Sequence, residues 1–157
     1  MTALKKGFTL IELLMVMAII AVIATFFITY STGGTKKARD AKRESDIKQY
    51  QNSLEIYAAK NNTLYPSRTS GVGVQASVTT CQDLTLTSCP EDPINGSNSN
   101  YMYRYQSDGT GNGTVTGTRY VLWAQFEGQT GYWVVCSNGK TGIMASVTVS
   151  TGTCPLP

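Results

Sequence analysis

From Phe8 to Tyr30 the chain reads FTLIELLMVMAIIAVIATFFITY, 23 residues in which the only charged side chain is Glu12. As a helix this run reaches ~35 Å, enough to cross a ~30 Å hydrocarbon layer with some tilt. A cleaved secretory signal has a shorter apolar region that ends in an A-x-A-like site. No such site follows here, so the segment is expected to stay on the mature protein. The orientation signals conflict. Lys5 and Lys6 place the N-terminus in the cytoplasm, while Lys36, Lys37, Arg39, Lys42 and Arg43 crowd the other flank and argue for the reverse. The cysteine-bearing, strand-rich remainder belongs outside the cell's reducing interior, which favours a cytoplasmic N-terminus.

Glu12 is costly in such a segment, on the order of 3 kcal/mol or more when ionised in lipid, so a partner is expected. The side chains three and four positions away are Phe8, Thr9, Met15 and Val16, none of them cationic. A cut before Phe8 creates an α-amino group close to the depth of Glu12, and that amine on an adjacent subunit would be a suitable partner. Two plainer readings also fit: a carboxyl protonated in lipid, or one that snorkels to the interface.

The residues around the acid carry more information. Lys5-Lys6-Gly7-Phe8-Thr9-Leu10-Ile11-Glu12 resembles the signal of type IV prepilins and pseudopilins: a short basic leader ending in Gly, then Phe, then an apolar helix with Glu fifth after the cut. The resemblance covers residues 5 to about 66. It implies cleavage between Gly7 and Phe8 by a prepilin peptidase on the cytoplasmic face, commonly with N-methylation of Phe8. It also implies subunit assembly through Phe8 and Glu12. One departure is that no proline precedes Pro66, whereas many major pilins have one in the apolar segment. Gly33-Gly34 is the alternative weak point, and the missing proline leans towards the pseudopilin branch.

Beyond the apolar run, Thr35 to about Lys60 is rich in helix formers. Ile47, Tyr50, Leu54 and Tyr57, with Ala58 beside them, form an apolar stripe that suits packing on a sheet. A free coiled coil would need a longer repeat. Lys36 to Lys48 holds six basic and three acidic residues, read as a solvated face with pairs such as Lys36–Asp40 and Glu44–Lys48. The alternative is contact with lipid phosphates or with acids on neighbouring subunits. Asn61-Asn62 ends the helix, and Tyr65-Pro66 turns the chain.

Residues 67 to 100 read as irregular. Four strands are expected after them: one carrying Tyr101, Tyr103 and Tyr105, then Tyr120 to Glu127, Tyr132 to Cys136, and Ile143 to Val149. The fold class is therefore α+β, one long N-terminal helix on a small antiparallel sheet. Its divisions are a leader at 1–7, a membrane or filament-core helix at 8–30, an amphipathic continuation at 31–62 and a globular part at 63–157. Cys81, Cys89, Cys136 and Cys154 all follow the apolar run and suggest two disulfides. Of three connectivities, Cys81–Cys89 and Cys136–Cys154 close local loops and are preferred. Their spacing lacks a zinc knuckle.

Function classes narrow accordingly. There is no His, which excludes Ser-His-Asp and Cys-His sites, and no phosphate loop or recognisable acid pair marks an enzyme. From Asn61 onward four basic residues face five acidic ones, so the overall +3, which falls to +1 on loss of Lys5 and Lys6, describes no basic globule. Nucleic-acid binding would need a basic, aromatic surface on the distal loops. No cofactor is expected. Asp92, Asn95, Asn98 and Asn100, or Asp108 and Asn112, offer oxygens for calcium but match no defined loop. Asn61, Asn95 and Asn112 each begin an N-x-S/T tripeptide.

The leading reading is a structural subunit of a type IV pilus or related filament, assembled through its N-terminal helix and serving adhesion, motility, DNA uptake or secretion. The alternatives are a pseudopilin of a type II secretion system and a membrane-anchored binding domain. The expected partners are identical or homologous subunits, the prepilin peptidase, an inner-membrane assembly platform and, before assembly, lipid. The expected location is the inner membrane, then a cell-surface or periplasmic filament.

Overall fold

The computed structural model describes residues 7–69, 73–149 and 151–157, with the side chains of 26–32 left aside. Lys5, Lys6 and the rest of the leader before Gly7 lie outside the described residues. Helix α1 spans Leu10–Lys60. Gly33 and Gly34 fall inside it, so the suspected weak point is helical. Lys37–Pro157 is one compact unit, and the residues up to Lys36 form another.

Within the compact unit, α1 ends where Thr63 N–H donates to the Ala58 carbonyl, 2.8 Å away. Asn62 and Thr63 take positive φ there, a left-handed helix stop. Tyr65–Pro66 does not turn the chain. It forms a short strand, β1, against β4 at Val115–Gly117, an edge position that a proline tolerates. Residues 67–100 contain more structure than expected: β2 at Val74–Gln75, a π-helical turn at Ala76–Thr80 and a short α2 at Cys81–Asp83.

The main sheet is antiparallel. Its further strands are β3 at Arg104–Ser107, β5 at Tyr120–Gln125, β6 at Tyr132–Cys136 and β7 at Thr141–Met144, in the order β2-β3-β5-β6-β7. Tyr101 precedes β3, and the last strand starts two residues early and stops at Met144. The two-residue side-chain period of β5 sorts its residues to two faces. Tyr120, Leu122 and Ala124 join a core with Ile47, Tyr50, Leu54 and Ala58 of α1, so the apolar helix stripe covers the sheet as expected. Val121 and Trp123 face the other way and pack with Val134, Cys136 and Val149. Buried on both faces, β5 reads as a near-continuous apolar run.

The helix-side core is unusually phenolic. Tyr50, Tyr103, Tyr105 and Tyr120 are fully buried and Tyr65 nearly so. Each hydroxyl has an acceptor: the Pro90 carbonyl for Tyr50, Asp46 for Tyr103, the Pro66 carbonyl for Tyr105 and Glu55 for both Tyr120 and Tyr65. Burial raises all five phenol pKa values, reinforced by nearby carboxylates, and Tyr65 is pushed up to about 12. The unfolded value is about 10. Above that pH the folded state holds protons that the unfolded state has released, so stability is full below about pH 10 and falls as pH rises through the folded values. The expected result is that these five tyrosines ionise together in a cooperative unfolding step, followed by tyrosinate absorbance and circular dichroism. A smooth titration of every tyrosine near the free value would contradict it.

Candidate assembly site

The N-terminal end is built around a reciprocal cap. Thr9 precedes α1, its hydroxyl donates to Glu12 Oε2 at 3.0 Å, and its backbone N–H reaches the same oxygen at 3.3 Å. Glu12 N–H donates back to Thr9 Oγ1 at 3.3 Å. This Thr-x-x-Glu capping box satisfies two of the helix's orphan donors, and a carboxylate in the first turn also suits the helix dipole. Glu12 thus has a local partner, Thr9, which the sequence reading passed over although the T-x-x-E spacing is legible. Oε2 is taken, whereas Oε1 has no hydrogen bond among the described residues.

Everything around the cap is open. A Cβ built on Gly7 would meet nothing within 4 Å, and Phe8 is 84% exposed. The large apolar side chains from Phe8 to Ile23 are between 49% and 84% exposed on every side of the helix. A helix apolar all round requires an apolar surrounding, either lipid or other helices. Among the described residues no helix is long and apolar enough to cross a membrane. The apolar stretch with described side chains stops at Thr25, and residues 8–25 as a helix reach only ~27 Å.

In the compact unit, the basic run is solvated only in part: Lys37, Lys42 and Lys48 are exposed, whereas its arginines turn inward. Arg43 is fully buried. Its Nε and Nη2 donate to the two oxygens of Asp92 at 2.6 and 3.0 Å, its Nη1 donates to Asp40 at 2.7 Å, and Tyr101 lies beneath the guanidinium at 4.9 Å. Burial disfavours the charge, but the bonds to Asp92 and Asp40 outweigh it and hold the guanidinium pKa above its usual value. Asp40 also accepts the backbone N–H groups of Glu127 and Gly128 at 2.8 Å, and Arg39 grips Glu127 through two bonds of 2.7 and 2.6 Å. This latch joins the first turns of the unit's helix to the loops at 90–92 and 126–128. Instead of Lys36–Asp40 and Glu44–Lys48, the helix pairs Asp40 with Arg43 and Lys42 with Asp46. The signal was present in the register: Asp40 and Arg43 extend the Ile47, Tyr50, Leu54 stripe backwards at spacings of three and four.

The remaining sites are placed as follows. Cys81 pairs with Cys89 and Cys136 with Cys154, at Cα separations of 5.7 and 5.5 Å. The second bridge holds the C-terminal segment over the outer sheet face. Of the loop oxygens considered for calcium, those of Asp92 are engaged by Arg43 and that of Asn112 by Arg68. Burial raises the Asp108 pKa, but bonds from the Thr118 hydroxyl and the Thr118 and Arg119 amides outweigh it and hold the pKa below the usual range. Among the described residues no group of three His, Cys, Asp or Glu is placed to hold a metal ion.

Residues 3–28 match the family model of the prokaryotic N-terminal methylation motif. The chain is 33% identical over 108 residues to the type II secretion system core protein G of Vibrio cholerae, covering 69% of this chain and 67% of the relative. It is 29% identical over 104 residues to the core protein G of Dickeya chrysanthemi, covering 66% and 62%. It is 32% identical over 97 residues to that of Pectobacterium carotovorum, covering 57% and 62%. The matches thus span about two thirds of the relatives' own lengths.

Proposed function

Because the chain belongs to the type IV pilin and pseudopilin family, we propose that it is a pseudopilin, a filament subunit of a type II secretion system. The sequence alone puts the surface pilus first. The relatives, each named as a secretion-system core protein, reverse that order. The subunit is structural and performs no chemistry of its own.

The single observation behind the filament-subunit part of this reading is the N-terminal arrangement. An exposed Gly7–Phe8 bond precedes a helix that is apolar on all sides and carries one acid near its start. In the proposed sequence of events, residues 8–30 hold the subunit in the inner membrane with its N-terminus cytoplasmic. A prepilin peptidase cuts before Phe8, and the new amine is methylated. An assembly platform then moves the helix from lipid into a bundle with identical or homologous subunits, where Glu12 meets the amine of a neighbour. Nucleic acid is not among the proposed partners, since Arg68 and Arg119 are already held by Asp83 and Asp108.

The direct test is the mature N-terminus. In cells with a working prepilin peptidase, mass spectrometry is expected to find methylated Phe8 as the first residue. Gly7→Leu is expected to leave the leader attached and abolish incorporation into sheared filaments. Assembled material that retains residues 1–7 would overturn the proposal.

A further inference from the structure

We infer that Asn95 is a site of spontaneous covalent modification, deamidating through a succinimide ahead of the other Asn-Gly pairs of the chain. Those pairs are Asn95-Gly96, Asn112-Gly113 and Asn138-Gly139. In this reaction the backbone nitrogen of the following residue loses its proton and attacks the asparagine Cγ. A bond forms between that nitrogen and Cγ, the Cγ–Nδ2 bond breaks and ammonia leaves. Water then opens the ring at either carbonyl to give aspartate or isoaspartate. Solvent supplies the base and the water.

The attack needs a backbone N–H that is not hydrogen-bonded, an asparagine side chain free to swing over it, and no crowding from the following residue. The folded chain meets these conditions unequally. Gly113 N–H donates to the Ser67 carbonyl at 2.8 Å, and the Asn112 side chain is gripped by Arg68 at 2.5 Å. Gly139 N–H donates to the Cys136 carbonyl at 3.0 Å, and Asn138 Oδ1 accepts the Lys140 N–H at 3.0 Å. Both of these glycines are also fixed at positive φ. By contrast, Gly96 N–H has no acceptor and the Asn95 side chain has no partner among the described residues. A Cβ built on Gly96 would meet nothing within 4 Å. Sequence makes the three pairs equivalent, and hydrogen bonding separates them.

The position has a consequence. Asn95 N–H donates to the Asp92 carbonyl at 3.1 Å, in the turn that presents the Asp92 carboxylate to Arg43. Either product adds a carboxylate beside that turn, and isoaspartate also lengthens its backbone by one carbon. Modification at Asn95 therefore ages the latch.

The test incubates the detergent-solubilised full-length chain at mildly alkaline pH and follows the three asparagine-containing peptides by mass spectrometry, with isoaspartate detected by enzymatic methylation. Asn95 is expected to convert several-fold faster than Asn112 or Asn138, with the three rates converging in urea. Gly96→Ala, for which the fold has room, is expected to suppress conversion at Asn95. The inference is overturned if Asn112 or Asn138 converts as fast as Asn95 in the folded chain. It is also overturned if Gly96→Ala leaves the Asn95 rate unchanged.

Discussion

Arg43→Met is expected to destabilise the compact unit by about 3–5 kcal/mol, the usual cost of removing one partner from a buried ion pair. The reason is what remains. Asp92 keeps its carboxylate almost wholly buried and loses both of its guanidinium bonds, and Asp40 loses its shortest partner. The pair need not be strongly stabilising in itself, because desolvation offsets most of the attraction. That gives a second expected result: Arg43→Met combined with Asp92→Leu recovers most of the loss. Denaturant unfolding of the detergent-solubilised chain, followed by near-ultraviolet circular dichroism, measures both. A loss below about 1 kcal/mol for the single variant is the range of an exposed pair, and would mean that Arg43 is solvated after all.

The second large effect concerns assembly. Glu12→Ala is expected to leave the protein inserted and cut before Phe8 but to lower filament yield tenfold or more, since truncating one partner of a desolvated charge pair costs about 2–5 kcal/mol. The capping box complicates the alanine variant, because it also removes a helix cap of about 1 kcal/mol. Glu12→Gln separates the two contributions. Glutamine serves equally at the third position of a capping box, so this variant keeps the link to Thr9 and loses only the charge. Its filament yield is expected to fall nearly as far as that of Glu12→Ala. If sheared material from Glu12→Gln cells contains normal amounts of filament, the acid acts as a cap and the intersubunit pairing is wrong.

The two residues behind these predictions differ in how well the sequence exposes them. Glu12 is conspicuous because a lone charge in an apolar run violates its surroundings and the motif around it is local. The same holds for the helix stripe at Ile47, Tyr50 and Leu54, where periodicity announces the buried face, and for β5 and β6, which stand out as short apolar runs of strand-forming residues. Arg43 is hidden in a basic run that looks solvated. Its partner Asp92 lies 49 positions away, in a loop with no periodicity of its own. Strand β4 and the pairing of β1 were missed for a related reason: two or three residues are too few to show a period.

What the sequence settled by itself is whatever depends on neighbours along the chain: the apolar helix, its N-terminal motif, the α+β class and the amphipathic face. What only the tertiary structure decided depends on distant segments meeting. It placed one arginine of a charged run out of water, closed the C-terminal segment over the second sheet face, and left one of three identical Asn-Gly pairs unprotected. The physical reason is that local patterns report which groups must leave water, whereas long-range packing decides which partners they find there.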